Sequence, residues 1–104
     1  MFEKYMEEYE KIKNQIIDIC SPYEIILFGS LAKKMIKSSS DIDICIIVDV
    51  EDKRKLTQKL FYEINADIPF DIVIYTIEEW HKWREEKTSF LYKIYKEGEV
   101  VYGR

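Results

Sequence analysis

The chain has 104 residues, of which 47% are hydrophobic and 35% are charged, and its formal net charge is −4. This length and apolar share predict one domain, residues 1–104, with a hydrophobic core of its own. The acidic balance argues against a protein that coats nucleic acid through a basic surface. The start of the chain lacks a basic stretch followed by an apolar run, and no apolar segment has the length of a membrane span. We therefore expect a soluble, cytoplasmic protein.

The first predicted element is an amphipathic helix over residues 2 to about 20, because apolar side chains recur there at helical spacing. Ser21-Pro22 ends this helix, and the apolar run that follows predicts a first strand over 23–28. Two cysteines, Cys20 and Cys45, lie within apolar patterns and lack the spacing of a metal site. We therefore expect two reduced core thiols rather than a disulfide.

A glycine–serine pair, Gly29-Ser30, follows the first strand directly. The next residues predict a short helix over 30–35, a lysine- and serine-rich loop over 36–40, and a second strand over 41–48. Both strands contain continuous apolar runs, which are typical of strands that are covered on both faces. We therefore expect helices on the two sides of a small sheet.

The remainder of the chain predicts helices and strands in alternation. The first of these helices has Asp49 as its expected N-cap, and the second begins at Thr76, with Glu79 in the capping-box position. Gly98 is expected to end the second helix, which is long. A final short strand is expected at an edge of the sheet. In chain order, these elements cover residues 51–65, 70–75, 76–98 and 99–102.

Two aspartates open the second strand. Asp41 and Asp43 are two residues apart, so both side chains leave the same face of an extended chain. Adjacent carboxylates resist joint ionisation unless a cation or hydrogen bonds compensate their charge. Asp71 is a lone charged residue in an otherwise apolar third strand, and burying an unpaired carboxylate is costly. If the second and third strands are neighbours, the three carboxylates converge into a site that suits Mg²⁺.

The Gly29-Ser30 turn has features of a phosphate-binding site. Gly29 allows a phosphate to approach the backbone, the start of the next helix offers free N–H donors, and Ser30 adds a hydroxyl group. Lys33, Lys34 and Lys37 could neutralise phosphate charge, although three lysines on a short helix are more often a solvated face. Taken alone, the aspartates could also be exposed residues at strand starts. The combined order of strand, Gly-Ser turn, helix and Asp-x-Asp strand favours a metal and phosphate site.

The stretch GSLAKKMIKSSSDIDICII resembles nucleotidyltransferases of the DNA polymerase β type, whose signature is a Gly-Ser turn followed after a short gap by Asp-x-Asp. More closely, the chain resembles the minimal nucleotidyltransferases, which are small stand-alone domains often paired with a HEPN-domain toxin. The resemblance extends over essentially the whole chain, including FDIVIY and the final EGEVVYG. It implies an α/β (α+β) fold with a small mixed sheet of about four strands flanked by helices.

The resemblance also assigns roles residue by residue. It places two Mg²⁺ ions on the catalytic carboxylates Asp41, Asp43 and Asp71, and it places the triphosphate of the nucleotide on the glycine turn. The candidate nucleotide-binding residues are Gly29, Ser30, Lys33 and Ser40. Family members often read Gly-Ser-x-Ala-Arg-Gly, whereas Lys33 and Lys34 occupy the last two positions here. Lys33 keeps the positive charge of the arginine but lacks its bidentate geometry.

The activity that the resemblance implies is transfer of AMP, or another NMP, from ATP to a hydroxyl group by attack at the α-phosphate. The implied acceptor is a tyrosine of a HEPN toxin partner, which would make this protein an antitoxin. Two alternatives stay open. One is a small-molecule or nucleic-acid acceptor, with a homo-oligomer supplying the missing wall of the site. The other is a non-catalytic antitoxin that neutralises its partner by binding, although the presence of all three carboxylates counts against a vestigial site.

Overall fold

The computed structural model describes residues 2–33 and 41–103, apart from the side chains of residues 2, 30 and 31. Three of the candidate phosphate-binding residues, Lys34, Lys37 and Ser40, lie outside the described residues. In chain order, the elements are α1 (Phe2–Cys20), β1 (Glu24–Phe28), α2 (Gly29–Ala32), β2 (Ile42–Ile47), α3 (Lys53–Glu63), β3 (Phe70–Tyr75), α4 (Ile77–Trp83), α5 (Phe90–Glu97) and β4 (Glu99–Gly103).

The strands form a mixed sheet in the order β3-β2-β1-β4. Strand β1 is antiparallel to both β2 and β4, whereas β2 and β3 are parallel. A parallel pair needs a crossover connection, and α3 supplies it between β2 and β3. The predicted fold class, a small mixed sheet flanked by helices, is therefore confirmed, as is the position of the last strand at an edge.

Helices cover both faces of the sheet. In β2, Ile44 and Ile46 point into the core that includes residues of α1 and α3, while Cys45 and Ile47 point into a second core that includes residues of α4 and α5. Because both faces are buried, the strand shows no alternation of apolar and polar residues. Strand β2 is thus the most enclosed element, and Asp43 is its one charged residue.

Helix α1 is joined to the loop that precedes β3 by two side chains. Gln15 pairs with the backbone of Asn65, accepting from its N–H at 2.8 Å and donating to its carbonyl oxygen at 2.9 Å. Glu8, which is 8% exposed, accepts a hydrogen bond from the backbone N–H of Asp67. Satisfying the loop backbone in this way fixes the start of β3, the strand that contains Asp71.

Helix α3 begins later than the sequence predicts. The expected N-cap, Asp49, is wrong: the cap is Asp52, whose side chain accepts from the backbone N–H of Lys55 at 3.0 Å. The reason is that the chain stays extended past the end of β2, since the Val48 N–H donates to the Tyr75 carbonyl oxygen at 3.0 Å.

The single long helix predicted after Thr76 is also wrong, because the segment forms two helices, α4 and α5. Ser89 separates them: its hydroxyl donates to the Trp83 carbonyl oxygen at 2.6 Å and accepts from the Tyr92 N–H at 3.1 Å. The break lets Trp80 and Ile94, each 1% exposed, face the same side of the sheet. Gly98 ends α5 as expected, and its N–H donates to the Ile94 carbonyl oxygen at 2.8 Å.

The predicted capping box at the start of α4 is confirmed. The Thr76 hydroxyl accepts from the Glu79 N–H at 3.1 Å, and the Glu79 carboxylate accepts from the Thr76 N–H at 2.9 Å. This backbone hydrogen bond, together with Lys53, holds the pKa of Glu79 below its usual value. The two oxygens of Glu79 lie 3.0 and 2.9 Å from Lys53 Nζ, which links the starts of α3 and α4.

Thr76→Ala is expected to lower the free energy of unfolding by about 1 kcal/mol, because it leaves a helix-terminal N–H without its acceptor. Urea denaturation measures the change. Thr57→Ala is the matched control: its hydroxyl only back-bonds to the Lys53 carbonyl oxygen within α3, and alanine is the better helix former there. Equal losses in the two variants would contradict the capping interpretation.

The other two sequence expectations concern thiols and membranes. Cys20 and Cys45 are free, as predicted, and burial raises the pKa of both thiols. Across residues 2–33 and 41–103, no helix is both long and apolar enough to cross a membrane.

Candidate functional site

Two of the predicted carboxylates are direct neighbours across the parallel strand pair. Asp43 of β2 is in register with Asp71 of β3, and neighbouring strands lie about 4.8 Å apart. Residues in register share a face of the sheet. The residues on either side of Asp43 in the strand point to the face of the sheet covered by α1. The Asp43 side chain therefore points to the other face, which is covered by α4 and α5. The expectation that the second and third strands are neighbours is thus confirmed.

Asp41 lies just before β2, on the chain that leads into the strand. It is exposed, as is Asp71, whereas Asp43 is half-buried. The N–H of Ile42 donates to the Pro69 carbonyl oxygen at 3.0 Å, which holds the start of β2 against the turn before β3. The three aspartates are therefore gathered at one end of the β2–β3 pair.

The electrostatics of this end of the sheet centre on Asp43. Burial raises the pKa of its carboxyl group, and the charges of Asp71 and Asp41 raise it further. A raised pKa means that the negative charge of Asp43 lacks a sufficient positive partner within the described part of the chain. This unmet charge, on hard carboxylate oxygens, is the chemistry that fits a divalent cation such as Mg²⁺.

The side chains do not, however, form a finished ligand set. Among the described residues, no three carboxylate, histidine or cysteine side chains come together closely enough to hold a metal ion. One oxygen of Asp71 accepts a hydrogen bond from the N–H of Ile72 at 3.0 Å. The predicted metal roles of Asp41, Asp43 and Asp71 therefore stay predictions, supported by their placement and charge.

Gly29 packs directly against this group. Phe28 is the register partner of Asp43 in β1, and Gly29 follows it with φ of 75°. A Cβ atom at position 29 would overlap the carboxylate oxygen Oδ2 of Asp43. Glycine is therefore required here both by the left-handed backbone and by the close approach of the aspartate.

Helix α2 is a single turn after Gly29, closed by a hydrogen bond from the Lys33 N–H to the Gly29 carbonyl oxygen at 3.2 Å. The backbone of Ser30 lies in this turn, but its side chain is outside the described part, as is all of Ser40. Their nucleotide-binding roles stay predictions. Lys33 is exposed, and its Nζ lies 3.3 Å from the Glu97 carboxylate of α5.

A cavity beside Gly29 was not predicted from the sequence. It has a volume of about 150 Å³ and lies between the end of β1, the glycine turn and α5. Its α5 side is formed by Phe90, Lys93, Ile94 and Glu97. Sequence spacing offers no signal for it, because the two walls are about sixty residues apart and meet only through tertiary packing.

Comparison with known proteins agrees with this arrangement. The family described as "Polymerase beta, Nucleotidyltransferase" matches residues 10–104. A solved structure from Sulfolobus solfataricus, named as a "putative nucleotidyltransferase", superposes with a TM-score of 0.58 at 17% sequence identity, covering 100% of this chain and 81% of that one. At that identity the likeness concerns the fold alone. No curated protein sequence matches this chain significantly.

The family match spans the glycine turn, the Asp-x-Asp strand and the strand with Asp71, and the structure brings these three elements together. The chain therefore belongs to the polymerase β-type nucleotidyltransferase family.

Proposed function

We propose that this protein is a Mg²⁺-dependent nucleotidyltransferase that moves AMP from ATP to a hydroxyl group. The observation that carries the proposal is the register of Asp43 with Asp71 beside the Gly29 turn, in a chain of the nucleotidyltransferase family. Carboxylates for a cation and the glycine turn that the resemblance assigns to the triphosphate then lie at one place, which is what transfer of a nucleotidyl group requires.

Asp41, Asp43 and Asp71 would hold the metal, which supplies charge neutralisation at the triphosphate and lowers the pKa of the acceptor hydroxyl when bound. The pKa of Asp43 is raised by burial and then by the charges of Asp71 and Asp41, and this supports the role, because a bound cation would stabilise the charged form against both effects. Gly29 brings the backbone of the turn close to the Asp43 carboxylate, and Lys33 stands beside the turn as a compensating charge.

The proposed reaction joins the acceptor oxygen to the α-phosphorus. It breaks the bond between that phosphorus and the oxygen that bridges the α- and β-phosphates. Pyrophosphate leaves with the electron pair, and the hydroxyl proton goes to a carboxylate. Asp71 suits this role of general base, because it is exposed to an incoming acceptor and the hydrogen bond from the Ile72 N–H is made to its Oδ1 atom. Positioning and charge compensation supply most of the rate in such transfers.

The acceptor that we propose is a tyrosine hydroxyl of a HEPN-domain toxin, so that modification by this protein would neutralise the toxin. The support is the resemblance of the chain to minimal nucleotidyltransferases. Within residues 2–33 and 41–103, few elements beyond the sheet and its helices are available to enclose a small acceptor. A partner protein would bring the acceptor hydroxyl to the exposed side of Asp71.

The test is incubation of the protein and a co-expressed HEPN partner with Mg²⁺ and α-labelled ATP, followed by intact-mass analysis. We expect the partner to gain the mass of one AMP per modified hydroxyl. Asp41→Asn should abolish the adduct, whereas Asp49→Asn, an exposed aspartate beyond the other end of β2, should leave it unchanged. If the partner were inhibited without an adduct, the protein would act by binding rather than by catalysis. If the label appeared on a small molecule, the acceptor would be a small molecule rather than a protein.

A further inference from the structure

The cavity beside Gly29 has no role in the transfer chemistry described above. It is bordered by Phe28 and Gly29 on one side and by residues of α5 on the other, and Lys33 lies at its rim. Two of these residues, Gly29 and Lys33, are also candidate nucleotide-binding residues. A nucleotide whose phosphates lie at the glycine turn would therefore have its remaining parts within reach of the cavity.

The walls of the cavity suit one aromatic ring system. Phe28 and Phe90 meet edge to face, with ring centroids 5.9 Å apart at 82°, and Ile94 adds an aliphatic surface. Phe90 remains 49% exposed, although it is a large apolar side chain at the start of a helix. An apolar cavity of about 150 Å³ is large enough for a benzene ring, and the volume here is about 150 Å³ with an open side.

The rim of the cavity is polar in a way that suits a nucleobase edge. Lys33 and Lys93 provide ammonium donors for ring nitrogens or carbonyl oxygens, and the Glu97 carboxylate can accept from an exocyclic amino group. Lys33 and Glu97 are paired at 3.3 Å, but both side chains are more than 40% exposed. A pair that is so well solvated rearranges at little cost, so it can open toward a ligand.

We propose that this cavity is the subsite for the nucleobase of the nucleoside triphosphate donor. The inference rests on the proposed function for the donor but not for the acceptor. It places the base against Phe90 and Ile94, the base edge at Lys93 and Glu97, and the phosphates at the Gly29 turn.

Binding of two ligands by calorimetry tests the subsite in the intact protein with Mg²⁺ present. ATP carries base and phosphates, whereas inorganic triphosphate carries the phosphates alone. Phe90→Ala is expected to weaken ATP binding about tenfold, in the range observed when an aromatic partner of a base is removed, and to leave triphosphate binding unchanged. Phe90→Leu, which keeps apolar volume and guards against a folding defect, should give a smaller loss of the same kind. Tyr62→Ala is the control. This aromatic side chain is 90% exposed, and it belongs to α3, the helix on the other face of the sheet.

The outcomes separate this inference from the proposed function. Equal weakening of ATP and triphosphate would overturn the subsite, because Phe90 would then act through the turn. Unchanged ATP binding with lost modification of the partner would also overturn it and would assign the cavity to the acceptor ring. Selective loss of ATP binding would support the subsite even if no adduct formed on a HEPN partner, a result that would overturn only the proposed acceptor. A wild-type protein that does not bind ATP would overturn both.

Discussion

Asp43→Asn is expected to lower the rate of nucleotidyl transfer by at least about a hundredfold, because it removes the central negative charge of the proposed metal site. The same change is expected to stabilise the metal-free protein at neutral pH. Asparagine fills nearly the same volume but has no charge to be desolvated by burial or repelled by Asp71 and Asp41. Activity and stability would thus move in opposite directions, as expected for a residue kept for function.

The sign of the pH dependence follows from the direction of the shift. The folded-state pKa of Asp43 lies above its unfolded value, so the folded state holds the proton more tightly. The resulting stabilisation is fully present below the unfolded pKa and is lost as pH rises through the folded pKa. In thermal melts across the acidic to neutral range without Mg²⁺, the wild type should therefore lose more stability than Asp43→Asn as pH rises.

Two comparisons make this result decisive. Asp49→Asn removes an exposed aspartate beyond the far end of the same strand and should change neither activity nor the pH profile. Addition of Mg²⁺ should raise the melting temperature of the wild type, through binding to the folded state, and have a much smaller effect on Asp43→Asn. A wild type that is more stable than Asp43→Asn at neutral pH without metal would refute the idea of uncompensated charge.

Gly29→Ala is expected to have the second large effect, a loss of about 2 kcal/mol in the free energy of unfolding together with loss of transfer activity. Part of the loss arises because alanine disfavours the φ of 75° at this position by about 1–2 kcal/mol. The rest arises because the new Cβ would overlap the Asp43 carboxylate and displace it. Urea denaturation and the AMP-transfer assay measure the two effects.

The two causes can be separated within the same chain. Gly103→Ala is the matched control and should leave stability unchanged. A Cβ at that position would meet Val100 and Glu24 only at 3.8 and 3.9 Å, which are ordinary contact distances. In an Asp43→Ala background the overlap with the carboxylate disappears and only a tight contact with the Cβ of residue 43, at 3.2 Å, remains, so Gly29→Ala should then show a smaller loss. An equal loss in both backgrounds would show that the carboxylate does not constrain the turn.

Local patterns in the sequence predict most of this fold. The apolar runs of β1, β2 and β3 and the capping box at Thr76 depend on residues close together in the chain, and the structure confirms them. The candidate site is predictable for a related reason. Asp43 and Asp71 each stand out as a charge within an apolar strand, and a charge in such a place indicates a functional site before its neighbours are known.

Tertiary structure decided the rest. The late start of α3 follows from the pairing of Val48 with Tyr75, and the break between α4 and α5 allows Trp80 and Ile94 to reach one face of the sheet. The placement of Asp43 beside Asp71 needed the parallel register of two strands.

The cavity and the Lys33–Glu97 ion pair join segments about sixty residues apart, and no local pattern encodes such a meeting. The sequence by itself determined most of the helices and strands and which charges stand within apolar strands, because those properties are local. Only packing over long sequence distances decided which of those charges meet, and where a ring could bind beside them.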